Sequence, residues 1–127
     1  MRSTDIGSDY EELAHLIVEA CGDATDGLFL YAEVEPGVVG SGLFQELGGR
    51  VVYHHPTRDL TNKLDEIWEK LDGDDRWHAI RCRVVGGRFS AEFDFPSDLK
   101  PGESLSERRP RALNAVFGDK RIEYPEL

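Results

Sequence analysis

Two alternating runs of residues, joined by a pair of glycines, constrain the fold of this chain more than any other feature. Ala79 to Val85 and Arg88 to Phe95 each alternate apolar with polar residues, and Gly86-Gly87 separates them. A two-residue glycine turn between such runs predicts an antiparallel β-hairpin. Its register places Arg81 opposite Glu92 on one face. On the other face it pairs only apolar side chains: Val84 with Phe89, Cys82 with Ala91 and Ile80 with Phe93.

Three further strands are predicted before this hairpin. Gly27 to Glu35 alternates aliphatic side chains on one face with two aromatic and two acidic side chains on the other. Val38 to Leu47 and Arg50 to His54 follow after turns that contain glycine, which predicts a three-stranded meander. The first strand is therefore expected to bury its aliphatic face and to expose Glu33 and Glu35 on an acidic, aromatic face.

Three amphipathic helices are predicted around these strands. Ser8 and Glu11 form a capping box that is expected to start the first helix, and Gly22 is expected to stop it. Asp59 to Leu71 shows the strongest helical periodicity in the chain, and Ser106 to Phe117 is predicted to be the third helix. The apolar stripe of the second helix consists of Leu60, Leu64, Ile67, Trp68 and Leu71.

The predicted elements follow the order α-β-β-β-α-β-β-α. Hairpins dominate this order, and it lacks the strand–helix–strand repeat that builds parallel sheets. We therefore predict an α+β fold, with an antiparallel sheet of about five strands and the helices on one face. The 127 residues fit one domain, 1–127, in which residues 1–7 are expected to be disordered or frayed.

The chain is strongly acidic, with 25 acidic against 15 basic side chains and a net charge of −10 at pH 7. This balance argues against binding to a nucleic-acid backbone, which requires clustered lysines and arginines. It favours a basic protein partner, although acidity also serves plain solubility. The excess is greatest from Asp59 to Asp75, where seven acids accompany only Lys63 and Lys70.

Neither a membrane location nor a cofactor is expected. No segment approaches the roughly 18 consecutive apolar residues of a membrane span, and the first residues do not form a signal peptide. Cys21 and Cys82 lie in apolar patterns, so they are expected to be buried, reduced thiols of a cytoplasmic protein. The adjacent His54 and His55 point to opposite faces of a strand and cannot easily share a metal ion.

Two pairs of carboxylates have the spacing of acid–base catalysts. Glu33 with Glu35, and Glu92 with Asp94, are two residues apart, so each pair shares a strand face. Like-charged neighbours can raise one pKa, as such catalysis requires. Arg81 is placed to neutralise Glu92, however, and an exposed charged face explains all four acids. We expect no enzymatic activity; the alternative is a small acid–base enzyme that uses this face within an enclosed pocket.

Together these segments resemble the YezG-like family of bacterial immunity proteins over residues 8–124. Arg76 to Ile80 corresponds to a Pro-Trp-Thr-Ser-like segment of the family, and Gly87 to Phe95 to its Gly-Lys-Phe-x-Ile-Asp-Tyr-Asp-Tyr hairpin. Two features differ: the loop before Trp77 is shorter, and Gly40-Ser-Gly42 stands where members are often more aromatic. The other matching segments are Leu30 to Glu35, the acidic helix Leu60 to Leu71, and Glu107 to Leu113.

The resemblance implies an antitoxin, a cytoplasmic protein that binds the C-terminal domain of a polymorphic toxin, often a nuclease. A nuclease presents a basic cleft, where carboxylates of an inhibitor can stand in place of phosphates. A chaperone or adaptor for a secreted effector is a further alternative, and no direct contact with nucleic acid or membrane is expected. Trp77 is included either as an exposed anchor or as a lid on the core. The expected toxin-binding residues are Glu33, Glu35, Asp65, Glu66, Glu69, Asp72, Asp74, Asp75 and Trp77.

Overall fold

A computed structural model of the protein describes residues 6–124, which form three α-helices and six strands. The helices are α1 (Ile6–Ala20), α2 (Arg58–Lys70) and α3 (Leu105–Phe117). The strands are β1 (Leu28–Glu35), β2 (Val38–Leu47), β3 (Arg50–His54), β4 (Ala79–Val85), β5 (Arg88–Asp94) and β6 (Arg121–Glu123). Single-turn 3-10 helices follow α2 and β5, at Gly73–Asp75 and Pro96–Asp98.

The strands form one mixed sheet in the order β5-β4-β1-β2-β3-β6. The hairpin register predicted from Gly86-Gly87 is confirmed, with Arg81 opposite Glu92. All neighbouring strands are antiparallel except β3 and β6, which are parallel. The antiparallel sheet of about five strands is thus corrected to a mixed sheet of six. Sequence patterns missed β6 because its three residues include a single apolar side chain, Ile122, and so show no alternation.

One face of the sheet packs against α1 and α2, which lie side by side. The apolar stripe predicted for α2 is confirmed, because all five of its side chains are buried. Thr57 caps this helix, since its Oγ1 accepts a hydrogen bond from the backbone N–H of Leu60 at 3.1 Å. The largest fully buried side chains of this core include Leu13, Ile17, Leu30, Leu43, Leu64, Ile67 and Ile80.

The opposite face of the sheet is covered by α3, although the sequence predicted that it would be exposed. Leu113 and Phe117 of α3 are buried against the aromatic side chains of β1 and β2. Phe29 meets Phe117 edge to face, with 5.8 Å between the ring centroids. Helices therefore lie on both faces. The aromatic positions of β1, Phe29 and Tyr31, carry too much apolar area to be left in water.

Two glycines of β2 allow α3 to approach the sheet closely. A Cβ atom on Gly40 would lie 2.9 Å from Cδ2 of Leu105. On Gly42 it would lie 2.9 Å from the Phe44 ring and 3.1 Å from Cζ of Arg109. A larger residue at Gly42 would therefore displace a buried ring or the helix above it.

The N-terminal prediction is corrected at two points. The first helix begins at Ile6, so Ser8 lies within its first turn rather than at its cap. Gly7, a weak helix former, concealed that first turn from the sequence patterns. Of the segment expected to be frayed, residues 1–5 lie outside the described residues, whereas Ile6 and Gly7 belong to α1.

The expected burial of the two cysteines is confirmed. Cys21 and Cys82 are buried, unpaired thiols in the core beneath α1 and α2. Burial raises the pKa of Cys21 to about 12 and also raises the pKa of Cys82, so neither thiol is a reactive thiolate near neutral pH. Within residues 6–124, no helix has the length and apolarity that a membrane crossing requires.

Candidate functional site

Most of the excess negative charge lies on the layer formed by α1 and α2. Residues 6–20 and 58–75, which contain α1, α2 and the following turn, carry eleven acidic and three basic side chains. Their net charge of −8 accounts for most of the −10 of the chain. Because α1 and α2 pack side by side, their outward sides form one continuous area, here called the acidic helical surface.

A network of ion pairs joins the two helices within this surface. The Lys63 side chain is only 6% exposed, and its Nζ lies 3.1 Å from Asp9, 2.9 Å from Glu12 and 2.9 Å from Glu66. Lys70 also contacts Asp9, at 2.7 Å. The hydrogen bond to Glu66, followed by those to Glu12 and Asp9, raises the pKa of Lys63. Asp9, which is itself buried, and the exposed Glu12 and Glu66 therefore neutralise a buried cation.

The remaining predicted acids of this region face outward beside the network. Glu69 is 56% exposed and lies 3.5 Å from Arg76, while Asp72 and Asp74 are exposed and Asp65 and Asp75 are half-buried. The structure thus brings together the six acids predicted on α2 and the following turn. Sequence reasoning missed the contribution of α1, whose exposed acids are Glu11, Glu12 and Glu19. Only the tertiary contact between α1 and α2 places them on the same surface.

Glu33 does not belong to an exposed surface, which corrects its predicted role in binding. It is 7% exposed and lies in the interior between β1 and α3. Arg108 binds it bidentately, with Nε 2.6 Å from Oε2 and Nη2 2.7 Å from Oε1. The Tyr31 hydroxyl donates to Oε2 at 2.7 Å, and His78 Nε2 lies 3.0 Å from Oε1. We call Tyr31, Glu33, His78 and Arg108 the Glu33 cluster.

The cluster keeps the Glu33 carboxylate ionised. Burial alone would raise the pKa of Glu33, but the hydrogen bonds from Arg108, Tyr31 and His78 outweigh it and lower the pKa to about 2. Acid–base catalysis near neutral pH requires the opposite shift. Glu33 is therefore suited to holding α3 against the sheet rather than to proton transfer. No local pattern reveals this pairing, because Glu33 and Arg108 are 75 residues apart in the chain.

Glu35 and Trp77 are also separate from the acidic helical surface. Glu35 is exposed, but it ends β1 with its side chain on the sheet face away from α1 and α2. Trp77 is 2% exposed, its Nε1 donates to the Tyr10 hydroxyl at 3.1 Å, and its carbonyl accepts from Trp68 Nε1 at 2.8 Å. Trp77 is thus a core residue, the second of the two alternatives open for it, and is not available as an exposed anchor for a toxin.

The second predicted carboxylate pair lies beside a surface cleft of about 320 Å³ next to α3. Arg81 Nη2 lies 2.9 Å from Asp94, and its Nη1 lies 3.6 Å from Glu92, so the predicted neutralisation is confirmed. Across the cleft, Arg111 binds Glu103 bidentately at 2.5 and 2.6 Å. Ion pairs therefore line the cleft on both sides, although the buried Nε of Arg81 has no hydrogen-bond partner.

The histidines have other roles in the described part of the chain. His54 Nε2 lies 2.9 Å from the side-chain oxygen of Gln45, and His55 packs edge to face on Tyr53. Among residues 6–124, no three histidines, cysteines or acids are grouped so that they could hold a metal ion.

The architecture is that of an α+β domain with a mixed sheet between two helical layers, one of which carries most of the negative charge. No protein-family model matches the chain, and no curated protein matches it significantly. The function is therefore inferred from the charged surfaces of the molecule and from the resemblance to the YezG-like immunity proteins.

Proposed function

We propose that this protein is an immunity protein that binds and neutralises the toxin domain of a secreted toxin, as its resemblance to the YezG-like family implies. The observation that carries the proposal is the concentration of eleven acids against three bases in α1, α2 and the turn that follows α2. Charge arranged on one side of a protein gives a one-sided electrostatic field. Such a field draws a basic partner to that side of the molecule.

A nuclease is the class of toxin that fits this surface best. Nucleases bind a polyanion, so their active-site clefts are lined with basic side chains. Carboxylates can occupy the positions of the substrate phosphates and thereby exclude the substrate. Electrostatic attraction between the two surfaces speeds their encounter. Salt weakens this attraction, because the Debye screening length is about 10 Å at 0.1 M. The complex should therefore form faster as the ionic strength falls.

The contacts are proposed to come from acids that face outward beside the Lys63 network. Glu66 adds to the field, but its carboxylate also binds Lys63 and Lys70, so substituting it would disturb the fold as well. Glu33 and Trp77 support the core, and Glu35 lies on the sheet face away from α1 and α2, so these three residues are left out of the contact set. The proposed contacts are Asp65, Glu69, Asp72, Asp74 and Asp75.

The proposed activity is stoichiometric inhibition in the cytoplasm, without turnover and without a cofactor. Its test is co-purification with the C-terminal domain encoded by the gene immediately upstream, followed by an assay of the toxin. We expect a stable complex and loss of toxin activity at an equimolar ratio. Failure of the two purified proteins to associate, even at low salt, would refute the proposal.

A matched pair of variants locates the surface. Glu69→Lys with Asp74→Lys changes two exposed acids of the acidic helical surface. Glu35→Lys with Glu92→Lys makes the same change of charge at exposed positions on the other side of the sheet. We expect the first variant to need a clear excess over the toxin for inhibition, and the second to inhibit like the natural protein. The reverse order would place the interface on the β5 side of the sheet.

A further inference from the structure

The outer edge of β5 is the longest open strand edge of the sheet. The strand ends the sheet on one side and pairs only with β4. At the other side the sheet ends in β6, which is three residues long, whereas Arg88–Asp94 is seven. Proteins commonly protect such an edge with proline, a bulge or a charge on the buried side. The seven residues of β5 contain no proline or glycine and pair one to one with β4. Arg88, Glu92 and Asp94 are charged, but the residues on the buried side are apolar.

The turn before β5 determines which backbone groups point outward. Gly86 and Gly87 have φ angles of 57° and 78°, the positive values of a type I′ turn. Such a turn makes Val85 and Arg88 a hydrogen-bonded pair. Alternate residues from Arg88 onward then direct their N–H and C=O groups at β4. The residues between them, Phe89, Ala91 and Phe93, direct theirs to the open edge.

The strand is complementary to itself about its middle residue. When two copies run antiparallel with Ala91 opposite Ala91, Phe89 lies opposite Phe93 of the other copy. These are the residues whose backbone groups face outward, so each such pair can exchange two hydrogen bonds. Any other two-fold register pairs fewer of the seven residues. Full overlap and matched hydrogen bonding therefore occur in the same register.

The side chains agree with this register on both faces. On the face away from α1 and α2, Arg88 lies opposite Asp94 of the other copy, and Ser90 opposite Glu92. Opposite charges and hydroxyl–carboxylate pairs at such positions are stabilising across antiparallel strands. On the other face, Phe89 and Phe93 are partly buried at the rim of the core, and pairing would extend that core into the second copy.

We propose that the protein forms a two-fold symmetric dimer in which the β5 strands of two copies pair antiparallel about Ala91, giving a continuous twelve-stranded sheet. The interface leaves the acidic helical surface of each copy outside the strand pairing. Each copy carries a net charge of −10, so the two repel one another. Salt screens that repulsion, and the dimer should therefore be favoured at moderate rather than low ionic strength.

Cysteine cross-linking by mixing two variants tests this register. Ser90→Cys and Glu92→Cys are prepared separately, mixed and exposed to a mild oxidant, and disulfides are detected on a non-reducing gel. The register places residue 90 directly opposite residue 92 of the other copy, so the mixture should cross-link. Each variant alone should remain largely uncross-linked, because its two cysteines would be offset by about 6.6 Å along the strands. The native cysteines are buried and unpaired, so they should not interfere.

A charge variant tests the same interface without cysteines. Arg88→Glu places a carboxylate directly opposite Asp94 of the other copy and diagonal to its Glu92. This repulsion should weaken dimerisation by roughly tenfold. Arg83→Glu is the matched control, since Arg83 is also exposed but lies on β4, away from the edge. Light scattering on the natural protein should give twice the 14.3 kDa chain mass at moderate salt. A monomer at high concentration, or efficient cross-linking of Ser90→Cys with itself, would overturn the proposal.

Discussion

The two faces of the sheet use charged residues in different ways. Beneath α1 and α2 the interior is apolar, and the acids lie on the outer side of the helices except for Asp9, which is buried with Lys63 where the two helices meet. Beneath α3 a carboxylate, Glu33, is itself buried and is held by Arg108, Tyr31 and His78. The same residue type thus belongs mainly to a proposed binding surface on one face and to the fold on the other. Burial and partners distinguish the two roles, and sequence position does not.

This difference predicts where substitutions are costly. Exposed charges contribute little to folding because water solvates them well in both states. A buried ion pair is different, because the loss of one partner leaves an unpaired charge inside the protein. Changes of charge should therefore be costly at the Glu33 cluster and at the buried Lys63 and Asp9, and should have little effect at the exposed acids. Changes of volume should be costly in the apolar cores on both faces.

The largest effect is expected from Arg108→Met. It leaves the Glu33 carboxylate buried without its cation, and we expect the free energy of unfolding to fall by about 3–5 kcal/mol. Urea denaturation measures this loss. Adding Glu33→Gln to Arg108→Met removes the buried charge and should restore part of the stability. A loss below about 1 kcal/mol for Arg108→Met would mean that the pair contributes little to holding α3, against the typical cost of breaking such a pair.

The second-largest loss of stability is expected when a buried side chain of α2 is shortened. Leu64 is fully buried on the apolar stripe, so Leu64→Ala should lower the free energy of unfolding by about 2–5 kcal/mol. The neighbouring Asp65→Ala, on the surface of the same helix, should change it by no more than about 0.5 kcal/mol. Thermal or urea unfolding of the two variants checks the contrast. Similar losses for both would contradict the division of α2 into a core side and a solvent-facing side.

The close approach of α3 to β2 is tested at Gly42. Gly42→Ala places a methyl group 2.9 Å from the Phe44 ring and should cost about 1–3 kcal/mol. Gly49→Ala is the control, since a Cβ atom there meets nothing within 4 Å. Denaturant unfolding compares the two variants. A neutral Gly42→Ala would show that the Phe44 ring and the Arg109 side chain can shift to accommodate the methyl group.

A smaller difference should develop in mild acid. Because the pKa of Glu33 is lower in the folded protein than in the unfolded chain, its contribution to stability is complete above the unfolded value of about 4.5. That contribution falls as the pH drops toward the folded value of about 2. Between pH 5 and 4 the natural protein should therefore lose slightly more stability than Glu33→Gln. Parallel pH profiles from denaturant titrations would exclude this contribution from Glu33.

Local patterns predicted the parts of the fold that depend on neighbours in the chain. The glycine pair at 86–87 determined the register of its hairpin, and the spacing of Leu60, Leu64 and Trp68 identified the core side of α2. The alternation of β1 correctly separated two faces, but it could not show that one face is covered. That face is covered by α3, whose Arg108 binds Glu33 although the two residues are 75 positions apart in the chain.

The candidate site was also predicted only where it depends on neighbours in the chain. The acids of α2 and its following turn were predicted together because they are consecutive, and the structure keeps them together. The acids of α1 were missed because only packing brings them beside α2. Glu33 was predicted to be exposed because acids are rarely buried without a partner of opposite charge, and its partner, Arg108, could not be identified from the sequence.

The most direct test of the proposed binding surface is the rate of association with the purified toxin domain, measured by stopped flow over a range of salt concentrations. We expect the rate constant for the natural protein to fall steeply with salt. Glu69→Lys with Asp74→Lys should bind more slowly and with a shallower salt dependence, while Glu35→Lys with Glu92→Lys should follow the natural protein. An association rate that is insensitive to salt, or lowered only by the second variant, would contradict the assignment of partner binding to the acidic helical surface.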